Sequence, residues 1–131
     1  MKNIKQQRLG EAELDIMLAL WSGGGPLTSV EIRERMRGKR DWALSSLMTA
    51  LDRLCGKGFV ACDRSTRTNL YTPLVAEDDY RARESATLLE RLYGNSLGSL
   101  VASLYAGKVI GPRELEELRA LLDELEGGTG R

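Results

Sequence analysis

A mainly α fold with a small β-hairpin wing is predicted for this 131-residue chain by three observations. Apolar residues recur at helical spacing in six separate segments. One short stretch near the middle is instead rich in β-branched and aromatic residues around a polar loop. Glycine or proline punctuates most of the boundaries between them.

The elements follow in chain order. "GEAELDIMLALWS" (10–22) places Leu14, Met17, Leu18 and Trp21 at the i, i+3, i+4 and i+7 positions of one helical face, and "GGGP" stops that helix. In "LTSVEI" Thr28 and Glu31 form a capping box, with Leu27 and Ile32 in the flanking positions of a hydrophobic staple, so a short second helix starts here and ends near Gly38. After the charged turn "GKRD" a third helix carries Leu44, Leu47, Met48, Leu51, Leu54 and Cys55 on one side. Gly56 and Gly58 end it. "FVACD" and "NLYTPL", separated by "RSTRT", read as a hairpin whose second strand closes at Pro73. Three helices followed by a hairpin, with a short turn between the second and third helices, is the order of a winged helix-turn-helix domain.

Beyond Pro73 helices are predicted at about 77–93, 96–106 and 112–126. In the last, Leu115, Leu118, Leu122 and Leu125 recur at heptad-like spacing. Three short helices do not easily enclose a core, and a partner subunit is the simplest cover, although packing back on the first domain would also serve. The expected organisation is a winged-helix domain over 1–75, a helical dimerisation region over 76–126 and a disordered tail at 127–131. Leu89, Leu92, Leu97, Leu100, Val101, Leu104, Leu115, Leu118, Leu122 and Leu125 are the candidate dimer contacts.

Composition narrows the function. At 42% hydrophobic and 29% charged, the chain is ordinary globular protein. Two cysteines and no histidine provide no zinc set of usual spacing and no secreted disulfide scaffold, so a reducing, cytoplasmic setting is expected. No apolar run approaches the roughly 18 residues of a membrane span, and "MKNIKQQRLG" lacks the apolar core of a signal peptide. The net charge of zero conceals an asymmetry: residues 1–72 hold 12 basic and 8 acidic side chains (+4), and residues 73–131 hold 7 and 11 (−4). An anion-binding module joined to a non-binding one would show such polarity, as do many solvated proteins.

The third helix carries the sharpest functional signal. Opposite its leucines lie Ser45, Ser46, Thr49 and Arg53, with Trp42 and Lys57 at the ends. Serine and threonine are mediocre helix formers, so propensity does not select them on an exposed face. Their shortness lets a helix lie deep in a major groove about 12 Å wide, where hydroxyls meet phosphates and base edges and a threonine methyl meets thymine. Arg53 and Lys57 would reach the backbone or a guanine edge. Arg64 and Arg67, in the hairpin loop, would lie on neighbouring phosphates; the bland alternative is that they are merely solvated. Together these residues favour double-stranded DNA as the partner.

Two other classes compete with this reading. A winged helix whose Ser/Thr face binds a protein is compatible with the acidic second part. An enzyme is disfavoured, because no histidine is available for acid–base work and "SGGGP" follows a helix instead of preceding one as a phosphate loop does. Glu114, Glu116 and Glu117 read as a solvated helix start that suits the macrodipole. No catalytic residue, metal or cofactor is expected. Cys55 and Cys62 read as small buried hydrophobes, with a redox pair as the alternative.

The segments "LGEAELDIMLALW", "LTSVEI", "DWALSSLMTALDRLCGKGFV", "LYTPLV", "YRARES" and "LLERLYGNSLGSLVASL" resemble the BlaI/MecI/CopY family of bacterial winged-helix repressors. The likeness runs from Leu9 to about Leu125 and is most specific from Trp42 through Gly58. It implies a homodimer that represses transcription by occupying a pseudo-palindromic operator, with hydroxyl contacts from Ser46 and Thr49 and a helix-end arginine at Arg53. Ala43 stands where family members usually have a capping serine, which leaves Asp41 to cap instead. The resemblance also brings a regulatory protease as a candidate partner. Ser103-Leu104 occupies the position of the Asn-Phe bond cut in the penicillinase branch, which argues against recognition by that same protease. The paired Cys-x-Cys motifs of the copper branch are missing from this tail, which argues against copper sensing by that route.

Overall fold

A computed structural model describes residues 8–129. The elements are α1 (Glu11–Gly23), α2 (Ser29–Arg35), α3 (Leu44–Lys57), β1 (Val60–Asp63), β2 (Leu70–Pro73), α4 (Glu77–Tyr93), α5 (Leu97–Ala106) and α6 (Pro112–Thr129). The first seven residues of the expected N-terminal domain, and Gly130 and Arg131 of the expected tail, lie outside the described residues. The chain divides into two compact units, one reaching Ser85 and the other beginning at Ala86.

The first unit surrounds a single core. Ile16, Met17 and Leu20 of α1, Ile32 of α2 with Met36 at its end, Leu47, Leu51 and Leu54 of α3, and Phe59, Val60 and Tyr71 around the hairpin are all buried. Each fully buried aliphatic or aromatic side chain contributes about 1.5–3 kcal/mol relative to exposure. The unit reaches Ser85 because the first turns of α4 belong to it. Tyr80 is buried, stacks at a tilt on Trp21 and meets the edge of Phe59, and its hydroxyl accepts the Leu9 N–H at 3.1 Å. Trp21 Nε1 donates to the Val75 carbonyl at 2.8 Å, which ties down the segment leading into α4.

The buried stripe of α1 differs from the expected one. Glu13, Ile16, Met17 and Leu20 are buried at i, i+3, i+4 and i+7, whereas Leu14, Leu18 and Trp21 are only half-buried. From Leu14 to Trp21 this helix is apolar almost all round, apart from Asp15, so periodicity does not choose a face. Packing does. The buried face of α3 is likewise rotated: Ala50 is buried with Leu47, Leu51 and Leu54, while Met48, expected inside, is 37% exposed.

Caps and turns set the joints. The Thr28 hydroxyl accepts the Glu31 N–H at 3.1 Å and the Glu31 carboxylate accepts the Thr28 N–H at 2.8 Å, as the capping-box spacing predicts. At the end of α3 the Phe59 N–H reaches the Leu54 carbonyl and the Gly58 N–H reaches that of Cys55, closing a Schellman motif around Gly58 at φ +86. The chain therefore turns straight into β1, which pairs antiparallel with β2 in the register Val60↔Pro73 to Asp63↔Leu70. Leu27 adds an isolated antiparallel bridge to β2, exchanging two backbone hydrogen bonds with Tyr71 at 3.0 and 2.8 Å. One bridge of this kind has no periodicity to reveal it in sequence.

The second unit contains the end of α4 with α5 and α6. Ser96 caps α5 by accepting the Ser99 N–H at 3.1 Å, and Tyr93 donates to Ser103 at 3.3 Å. At the end of α5 Val109 N–H bonds to Leu104 and Lys108 N–H to Tyr105, a second Schellman motif in which Lys108, not glycine, takes the left-handed position at φ +62. Helix α6 continues through Gly127 to Thr129, three residues into the segment expected to be a disordered tail. Helix propagation at one bond per added residue offsets the weak propensity of the two glycines there. None of the side chains described from Ala86 onward is buried.

Candidate nucleic-acid interface

The outward face of α3 is clear of the first unit. Ser45, Ser46, Thr49 and Arg53 are all exposed, while Leu47, Ala50, Leu51 and Leu54 anchor the opposite face in the core. The Thr49 hydroxyl donates back to the Ser45 carbonyl at 3.1 Å, a habit of threonine in helices that leaves the oxygen's acceptor capacity outward. The helix begins at Leu44 with Ala43 at the N-cap, and no side chain caps it. Asp41, expected to substitute for a capping serine, lies two residues upstream of that position.

Lys57 requires a correction. It is half-buried, and its ammonium donates to both carboxylate oxygens of Glu13 at 3.0 and 2.9 Å, so it braces α3 against α1 instead of extending from the helix end. Glu13 sits on the buried stripe of α1 at 7% exposure and also accepts the Gly10 N–H at 3.0 Å. Burial opposes its ionisation. The Lys57 and Gly10 hydrogen bonds, with the charges of Lys57 and Arg53, outweigh that cost and hold the carboxyl below its ordinary range. A carboxylate on a core-facing stripe is tolerable because it is paired.

Trp42 is half-buried against the core, and the Arg40 guanidinium lies over its ring at 5.5 Å from the centroid. Arg40 also donates to Asp15 at 3.2 Å. Arg33, Arg37, Arg40, Asp41 and Trp42 line a polar recess of about 300 Å³ beside the start of α3. These arginines were missed as a site in sequence. Their only signal there is the charge run "RERMRGKR", which reads equally as a solvated turn.

In the hairpin, Arg64 faces Asp52 of α3 at 3.8 Å, both well exposed. Such a surface pair is worth about 0–1 kcal/mol and yields readily to a phosphate. Asp63 accepts the Ser65 N–H at 2.9 Å, an Asx-type turn that opens the loop, and burdened by no ion pair among the described residues Arg67 is exposed at its tip. Among the described residues no group of three or more potential ligands could hold a metal, and no helix is long and apolar enough to cross a membrane.

None of the candidate dimer positions in the second unit is fully buried. Leu92, Leu97, Leu122 and Leu125 are exposed, and Leu89, Leu100, Val101, Leu104, Leu115 and Leu118 are half-buried. Leu88, Tyr105, Val109 and Leu121 are also exposed and were not anticipated. Ser103 and Leu104 lie inside α5, so the bond between them is helical.

Three packed helices with a solvent-facing third helix and a hairpin wing define a winged helix-turn-helix protein. The chain belongs to the penicillinase repressor family, whose model matches residues 9–124. It is 31% identical over 124 residues to the penicillinase repressor of Bacillus licheniformis, covering 95% of this chain and 94% of that one. It is 34% identical over 127 residues to the transcriptional regulator BlaI of Mycobacterium tuberculosis, covering 96% and 91%. The solution structure of the DNA binding domain of the repressor BlaI is similar at a TM-score of 0.50 and 30% identity, over 61% of this chain and 94% of that one.

Proposed function

We propose that the protein is a transcriptional repressor that binds a pseudo-palindromic DNA operator as a homodimer. The observation that carries this reading is the α3 face of Ser45, Ser46, Thr49 and Arg53, exposed on a helix whose other side is locked into the core. Ser46 and Thr49 are positioned to read base edges in the major groove, while Arg53 and the loop residues Arg64 and Arg67 supply phosphate contacts. Lys57 has no part in the reading, because Glu13 holds it.

The dimer rests on the second unit, where leucines line helices and none of the side chains described is fully buried in a single chain. A second copy covering them supplies the second α3 helix that a two-half-site operator, with half-sites about 34 Å or one turn of DNA apart, requires. Cytoplasmic location follows from the DNA partner. Proteolytic control at Ser103-Leu104 would require α5 to unfold locally first, since proteases bind extended backbone.

Footprinting of the full-length protein on its own upstream region tests the proposal. Protection of two half-sites with steep salt dependence is expected. Arg53→Ala and Arg67→Ala should each reduce the salt slope by about 1, and Thr49→Ala should alter base preference more than slope. A protein-binding module would leave no footprint and would ignore heparin, and that result would overturn the proposal.

A further inference from the structure

The junction between α3 and the hairpin holds both cysteines of the chain. After Cys55 the backbone reverses within four residues, with Gly58 N–H on the Cys55 carbonyl at 3.1 Å and Phe59 N–H on that of Leu54 at 3.0 Å, so β1 runs back along α3. Farther from the turn, Arg64, one residue past β1, meets Asp52 of α3 at 3.8 Å. Asp52 and Cys55 are three apart on α3 and share a stripe, and Cys62 lies in β1 two residues before Arg64, the first residue of the loop. Cys55 and Cys62 therefore both lie between that ion pair and the turn, on two segments that run back along each other. Both are free, half-buried and packed against the same core. Burial first, then the neighbouring Cys62 and Asp52, push the Cys55 thiol up, with Arg64 opposing.

We propose that Cys55 and Cys62 are an oxidation site at which a peroxide, or a low-molecular-weight disulfide, joins the recognition helix to the base of the wing. With hydrogen peroxide, one thiolate attacks the O–O bond, giving a sulfenic acid and hydroxide. The second thiol then displaces water from that sulfur, so two thiols and one peroxide become one disulfide and two waters. Burial raises the Cys55 thiol, which lowers its thiolate fraction and slows the first step, so the oxidation is slow. A disulfide holds its Cα atoms within about 4.4–6.8 Å, which fixes β1 against α3 and sets where Arg64 and Arg67 stand relative to Ser46, Thr49 and Arg53. The consequence for DNA rests on the repressor reading above: the oxidised protein binds its operator about tenfold more weakly, as expected for losing wing phosphate contacts.

The test treats full-length protein with hydrogen peroxide or diamide and reads two things separately. Intact mass should fall by about 2 Da with loss of both free thiols, and peptide mapping should link Cys55 to Cys62 within one chain, reversibly with dithiothreitol. Cys55→Ser and Cys62→Ser should each abolish the link. Operator affinity, measured by fluorescence anisotropy on the same samples, should drop on oxidation and recover on reduction in the wild type alone. Thiols that stay free, or cross-links only between chains, overturn the site. A disulfide that leaves affinity unchanged overturns its control of binding. Reduced protein that never binds the operator would instead overturn the repressor reading, while the mass and mapping data still decide the oxidation site.

Discussion

Replacing Lys57 with methionine separates a brace from a DNA contact. The variant keeps the aliphatic stem and deletes the ammonium, leaving Glu13 at 7% exposure with both carboxylate oxygens deprived of their Lys57 donor and only the Gly10 N–H remaining on one. A charged hydrogen bond contributes about 1.5–3 kcal/mol net, and stranding its buried partner adds desolvation cost. We expect Lys57→Met to destabilise the fold by about 2–3 kcal/mol. Glu13→Gln should cost less, because Lys57 is 29% exposed and can rehydrate. A double-mutant cycle by urea unfolding should return a coupling of about 1.5 kcal/mol or more.

The pH dependence has a definite sign. The folded carboxyl of Glu13 lies below its ordinary value of 4.5, so its contribution is complete above that value and is lost as pH falls through the depressed one. Wild type and Lys57→Met should therefore converge in stability in acid. Operator binding by the variant, measured where it remains folded, should keep the wild-type salt slope. A coupling below about 0.5 kcal/mol, together with a slope flattened by about 1, would refute the brace and return Lys57 to the DNA-contacting set.

Three further outcomes follow from named positions. Ala43→Ser supplies the missing cap of α3 and should stabilise the protein by about 1 kcal/mol in a urea melt; no gain would mean that the N-cap geometry does not admit the hydroxyl. Lys108→Gly relieves the left-handed strain at the end of α5 and should add about 1 kcal/mol, read the same way. Leu118→Asp with Leu122→Asp should convert a dimer to monomer in sedimentation velocity and weaken operator binding, whereas an unchanged dimer would move the interface off α6.

Local signals were the legible ones. The Thr28–Glu31 box, the hairpin ending at Pro73 and the hydroxyl face of α3 each depend on residues a few positions apart, so spacing alone reveals them. Legibility failed where several faces were equally apolar, as on α1, or where a polar residue occupied a core stripe, as Glu13 does. Met48 failed for a related reason: it lies at the margin of the leucine arc, and a rotation of the helix toward Ala50 carries it into solvent.

The chain's own order of residues determined the helix-helix-helix-hairpin succession, the caps that start and stop it and the polar face of α3, because each follows from backbone and side-chain preferences within a turn or two. Only the tertiary structure decided which stripe of α1 is buried, that Lys57 answers Glu13 across 44 positions, and that Leu27 bridges to Tyr71 on β2. Those choices depend on which surfaces meet when the helices pack, and a buried charge or an unpaired backbone group finds its partner at that stage alone.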